Sequence, residues 1–153
     1  MIPMTAQLAQ LSVSPGGMPK RPIPEGRVTA AGVEGDWQTN RKYHGGPDRA
    51  VCVFSVELYD ELRAEGVRAG PGDFGENFTT RGIDLRALAA GDRLRVGECV
   101  IELTDVRVPC RQLKVWDERM PKLIKGRSGW VAKVVEEGTV RPGDPISREV
   151  AAP

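Results

Sequence analysis

Cys110 stands in the run Val108-Pro109-Cys110-Arg111, where residue types and spacing would let a thiolate react. A strand-like stretch over 99–106 leads into it. Pro109 cannot donate to a ladder, so the strand is expected to stop there and leave Cys110 on a loop or a first helical turn. A helix-like segment over 112–116 follows. A thiol at a helix start beside Arg107 and Arg111 has its charged form favoured by the helix dipole and by both cations. The same position also suits a half-buried cysteine packing as a small hydrophobe. The other two of the three cysteines, Cys52 and Cys99, sit within apolar strand-like runs. With no close pairing, the three do not read as a disulfide framework or a zinc knuckle, and a reducing cytoplasm is the expected compartment.

The sole histidine of the chain, His44, lies in Gly35-Asp36-Trp37-Gln38-Thr39-Asn40-Arg41-Lys42-Tyr43-His44-Gly45-Gly46-Pro47-Asp48-Arg49. Glycines here would let the backbone approach a ligand closely, and Arg41, Lys42 and Arg49 supply positive charge. The bland alternative is a solvated basic hairpin. The stretch is not a P-loop, because the Gly-Lys-Ser/Thr ending is missing. It is not a dinucleotide fingerprint either, since no G-x-G-x-x-G opens a helix after a strand.

In Gly72-Asp73-Phe74-Gly75-Glu76-Asn77-Phe78-Thr79-Thr80, glycines surround polar residues, as in a loop offering N–H groups and short side chains to a ligand. Asn77, Thr79 and Thr80 could each bond a heterocycle or a phosphate. They could as well satisfy their own backbone in a turn. Gly126-Arg127-Ser128-Gly129-Trp130 places a cation and a hydroxyl just before a strand.

Elements that would position these residues can be read from the pattern. Eighteen glycines and 12 prolines spread along 153 residues suit short strands joined by tight turns. Strands are expected over 8–13, 27–33, 50–54, 92–96, 99–106, 129–135 and 146–150, with a hairpin turn at Gly97-Glu98. One segment is clearly helical: Ser55 caps it, Leu58, Tyr59 and Leu62 form its apolar stripe, and Gly66 ends it. The cluster from Ser14 to Pro24 reads as an exposed loop. The expected fold class is mainly β, a barrel-like domain with a few short helices. The length is that of a single domain over 1–153. A net charge of +1 argues against a dedicated nucleic-acid binder. No apolar run approaches a membrane span, and no signal peptide is expected.

Taken in order, His44-Gly45-Gly46-Pro47-Asp48, Phe74-Gly75-Glu76-Asn77, Pro109-Cys110 and Gly126-Arg127-Ser128-Gly129 resemble the MOSC family, the domain at the C-terminus of molybdenum cofactor sulfurases. The closing Gly138-Thr139-Val140-Arg141-Pro142-Gly143-Asp144 is similar to the family's last turn, and the likeness covers a core of about 11–146. The resemblance implies a strand-rich, barrel-like MOSC fold. It implies that Cys110 is the functional cysteine, binding molybdenum or carrying sulfur. It implies that the cofactor is the molybdenum cofactor, molybdopterin, held by Lys42, Arg49, Asn77, Thr79, Arg127 and Ser128, with these and His44 converging on Cys110.

A soft thiolate suits a metal already held by the pterin's two dithiolene sulfurs, and Arg or Lys suits its phosphate. His44 is the natural candidate for moving protons. Some small family members reduce N-hydroxylated bases and amidoximes, which implies a small-molecule substrate and an electron-transfer protein as partners. By the same resemblance, neither the N-terminal barrel of the amidoxime-reducing relatives nor the helical C-terminal extension of the hydroxylaminopurine-reducing kind is expected here. Three functions therefore stand side by side: a molybdenum-dependent reductase, a persulfide carrier passing sulfur to an acceptor, and a cofactor-binding or delivery protein without chemistry of its own. A cysteine hydrolase pairing Cys110 with His44 is more distant, for want of an orienting Asn or Asp.

Overall fold

The computed structural model describes residues 6–16, 19–36, 47–107 and 111–149. Strands β1 (Gln7–Val13), β2 (Arg21–Pro22), β3 (Gly26–Thr29), β4 (Gly32–Val33) and β5 (Val51–Ser55) come first. Helix α1 (Val56–Ala64) follows, then β6 (Phe78–Arg81), β7 (Arg93–Val96) and β8 (Cys99–Val106). Helix α2 (Met120–Leu123), β9 (Trp130–Glu136), β10 (Gly138–Val140) and β11 (Ile146–Glu149) complete the chain. Short 3-10 turns occupy Pro47–Arg49, Leu85–Ala87 and Arg111–Val115. No helix among the described residues is long and apolar enough to cross a membrane.

An eight-stranded sheet runs in the order β11-β7-β8-β9-β5-β6-β1-β2, and a smaller sheet in the order β10-β3-β4. The pairings are antiparallel except for β5 with β6, where α1 makes the crossover between parallel neighbours. The expectation of a mainly β domain is met. Among the described residues neither sheet is closed into a barrel by continuous ladders. A single bridge, Gln7 with Pro145, and the bonds Leu8 N–H to Asp144 C=O (2.9 Å) and Ile146 N–H to Ala6 C=O (2.8 Å) link β1 to the segment entering β11.

Local chemistry explains the elements. Gly97 (φ +55°) turns β7 into β8, with Val96 opposite Cys99, as the hairpin reading expects. Ser55 caps α1, its hydroxyl accepting from Leu58 N–H (3.1 Å). Leu58, Tyr59 and Leu62 are buried beneath the helix. Its C-terminal turn ends at Gly66, whose φ is +97°. Tyr59, Phe54 and Phe74 stack into one aromatic knot with ring centroids 4.7–5.5 Å apart.

Three expectations need correction. The expected strand over 27–33 is the hairpin β3–β4, because Thr29 Oγ1 donates to Gly32 C=O and accepts from Ala31 N–H across a tight turn. The 72–80 stretch is only in part a loop: its Phe78-Thr79-Thr80 end is a buried strand, β6, as its aromatic and β-branched composition favours. The expected exposed loop over 14–24 contains a short strand, β2, which pairs with the end of β1.

Candidate functional site

Lys42, His44 and Cys110 lie outside the described residues, as do 37–46 and 108–110 in full. The structure describes the roots from which both loops spring.

Asp36 is the root of the histidine loop. Its carboxylate meets the Lys20 ammonium at 2.6 Å, with both side chains almost fully buried at 5% and 6% exposure. It also accepts from Ser14 N–H (2.9 Å) and from the Asn77 amide (3.0 Å). The Asn77 side chain is fully engaged: Oδ1 accepts from Cys52 N–H (3.1 Å), and Nδ2 also donates to Ser12 C=O (3.2 Å). One buried amide therefore pins β1, β5 and the start of the loop together. At the loop's far end, Asp48 C=O accepts from the Thr104 hydroxyl of β8 (2.5 Å). Arg49 follows at the end of the 3-10 turn, partly exposed.

Arg107 is the root of the cysteine loop. Its N–H donates to Gly129 C=O (3.0 Å), and its C=O accepts from the Ser128 hydroxyl (2.5 Å). Its guanidinium donates to Phe74 C=O. Phe54, Phe74, Leu113, Ile124 and Ser128 line the cleft around that guanidinium. Beyond the loop, the chain resumes in the 3-10 turn Arg111–Val115, where the sequence favours a helix, and the Trp116 indole donates to Asp73 C=O (3.2 Å).

Between the two roots lies Glu76, fully buried. Its carboxylate accepts from the Tyr59 hydroxyl (2.7 Å), Gly72 N–H (2.9 Å) and the Thr79 hydroxyl (2.7 Å). Burial pushes its pKa above the usual carboxylate range, although the three hydrogen bonds oppose the shift. Burial, and then the charge of Glu76, push the Tyr59 phenol well above its ordinary value.

The expected site residues are thus only partly gathered. Asn77 joins the root of the histidine loop, and Ser128 joins the root of the cysteine loop. Thr79 serves Glu76. Arg127 turns away to α1: Nε donates to Leu123 C=O (2.6 Å), and both terminal nitrogens meet the Glu65 carboxylate at 2.7 Å. Glu61 adds a further contact at 3.3 Å. The side chains of Asn77, Thr79 and Arg127 thus all bond protein partners. The Glu76–Tyr59 pair and the Lys20–Asp36 pair escaped the sequence reading, because Gly35-Asp36 registers as a turn and Glu76 as loop polarity. Cys52 and Cys99 are buried. Burial pushes the Cys99 thiol up to about 12, so that thiol stays protonated near neutrality.

The model of the MOSC domain matches residues 40–147, and the chain belongs to that family. It is 33% identical over 127 residues to Protein YiiM of Escherichia coli, covering 78% of this chain and 57% of that one. It is 34% identical over 135 residues to the uncharacterized protein YflK of Bacillus subtilis, covering 83% and 60%. The chain thus spans somewhat over half the length of these relatives. A protein of Gibberella moniliformis named Reductase is 32% identical over 128 residues, 78% of this chain and 23% of its own. The crystal structure of YiiM from Escherichia coli superposes with a TM-score of 0.77 at 27% identity, covering 98% of this chain and 72% of that one.

Proposed function

We propose that this protein binds the molybdenum cofactor, with Cys110 as the protein's thiolate ligand, and that it reduces N-hydroxylated compounds. The observation carrying this reading is the pair of loop roots. Asp36 and Arg107 belong to one buried hydrogen-bonded framework that spends its own polar groups on each other. Cys110 and His44 are thereby left to the two loops it supports. The donor set fits the group: the soft thiol of Cys110 for the metal, with Arg41, Lys42 and Arg49 of the basic stretch for a phosphate. Cys52 and Cys99 are spent in the core.

When bound, the cofactor supplies the two-electron chemistry. The residues of the chain do the rest. Cys110 would hold the metal, Lys42 and Arg49 would hold the phosphate, and His44 would supply protons to the substrate. Asn77, Thr79 and Ser128 hold the loops that present these groups. The reductive direction is supported by the fungal relative named Reductase. The test is turnover of an N-hydroxylated purine by cofactor-loaded protein with a chemical electron donor. Turnover that is lost in His44→Ala but retained in Cys52→Ala supports the reading. A metal-free protein whose Cys110 carries a transferable persulfide would replace it with the sulfur-carrier reading.

A further inference from the structure

Glu76 is a fully buried carboxylate that the proposed chemistry does not use, and burying such a group is costly unless it is fully bonded. It is fully bonded, and the bonds lead somewhere. Tyr59 donates to Glu76 at 2.7 Å, and the same phenol oxygen accepts Phe74 N–H at 3.0 Å. The other end of the Phe74 residue, its C=O, accepts the Arg107 guanidinium. Arg107 in turn holds Gly129 and Ser128 through its own backbone, three residues before Cys110.

We propose that Glu76, Tyr59 and Arg107 form a positioning relay that sets the cysteine loop. The carboxylate fixes the phenol, the phenol fixes the Phe74 peptide, and that peptide fixes the guanidinium at the loop's root. The bonds run head to tail from the Glu76 carboxyl to the Arg107 guanidinium, so each polarises the next. The direction of donation is set throughout. The phenol proton must point to Glu76, because its oxygen is taken by Phe74 N–H. Glu76→Gln keeps the shape but leaves one oxygen for three donors: with Oε1 on the phenol its amide N–H faces Gly72 N–H, and with Oε1 on Gly72 and Thr79 it strands the phenol proton, so either orientation loosens the relay at Glu76. Arg107 accordingly acts on Cys110 through geometry, with its guanidinium committed to Phe74 C=O.

The inference rests on Cys110 being the functional residue. The experiment is alkylation of metal-free protein, with the rate at each cysteine read by peptide mass spectrometry at a temperature where circular dichroism shows every variant folded. Cys52 and Cys99 report general opening in the same sample. Arg107→Met and Glu76→Gln should each slow Cys110 by about tenfold, the scale of one lost hydrogen bond to a charged group, with Cys52 and Cys99 unchanged. Tyr59→Phe should slow it in the same sense, and Arg107→Lys, which keeps a donor for Phe74 C=O, should recover most of the rate. Cys110 rates that stay the same or rise in Arg107→Met and Glu76→Gln overturn the relay. So does parallel acceleration of Cys52, which would make these residues merely structural. A native Cys110 that reacts no faster than Cys52 overturns the functional reading itself, and this inference with it.

Discussion

At the scale of single residues, Cys52 and Cys99 are packed thiols, and the proposed working one is Cys110. Cys99 lies in β8 with no solvent exposure, and burial lifts its thiol to about 12. At pH 8 it should therefore resist alkylation in the folded protein, and so should Cys52, while Cys110 reacts. Labelling of Cys99 ahead of Cys110 would contradict this. Glu76 gives a second residue-scale prediction. Its folded pKa is raised, so its contribution to stability is full below the ordinary carboxylate range and is lost as pH rises through the folded value. The difference in Tm between native protein and Glu76→Gln should be largest in acid and shrink as pH rises. A difference independent of pH would show that folding leaves this carboxyl's pKa unshifted, against the burial argument. The sequence displayed Cys110 and His44 plainly, because rare reactive residues among glycines stand out. It hid Glu76, because nothing local marks a carboxylate as buried.

At the scale of elements, the turn before β9 shows what local pattern conveys. Gly129 has φ +82°, and a Cβ placed on it would lie 2.3 Å from Val53 C=O. Gly129→Ala should destabilise by about 2–4 kcal/mol, combining an unfavourable backbone region with overpacking against β5. Chemical denaturation measures it. Arg127 in the same turn ties it to α1 through Glu65, whose carboxyl the guanidinium holds below its usual range. Arg127→Ala should lower Tm by a few degrees near neutrality, and the difference should fade as acid protonates Glu65. Molybdenum content should stay unchanged.

The helix was legible to its caps, since Ser55 and Gly66 are local signals. The strand β6 was not. Phe78-Thr79-Thr80 follows directly on a glycine-rich turn, and its burial comes from pairing with β5 and β1. Asn77→Ala at the head of that strand should cost about 1–3 kcal/mol by leaving Cys52 N–H buried without an acceptor.

At the scale of the whole molecule, pairing between distant segments decides what sequence cannot. β9 sits between β8 and β5, and β6 between β5 and β1, so the central strands meet partners brought from far along the chain. Periodicity reveals that a strand exists and which way its side chains alternate, but not its neighbour. That is why most strands were legible while the sheet order and the hairpin β3–β4 were not. The site follows the same division. The two loops are marked in sequence by their residues, yet the framework beneath them, from Lys20 and Asp36 through Asn77 and Glu76 to Arg107, exists only once β1, β5, β6 and β8 are assembled. With the chain nearly neutral overall, the proposed anionic cofactor would have to be attracted by the local cations Arg41, Lys42 and Arg49.

The central claim is that this scaffold presents Cys110 to molybdenum. Its most direct test is the molybdenum and pterin content of native and Cys110→Ala protein, purified from a host that makes the cofactor. The account predicts that native protein carries both in matching amounts and that the variant, equally folded, loses the metal. Native protein free of molybdenum, or a variant that retains it in full, would contradict the account.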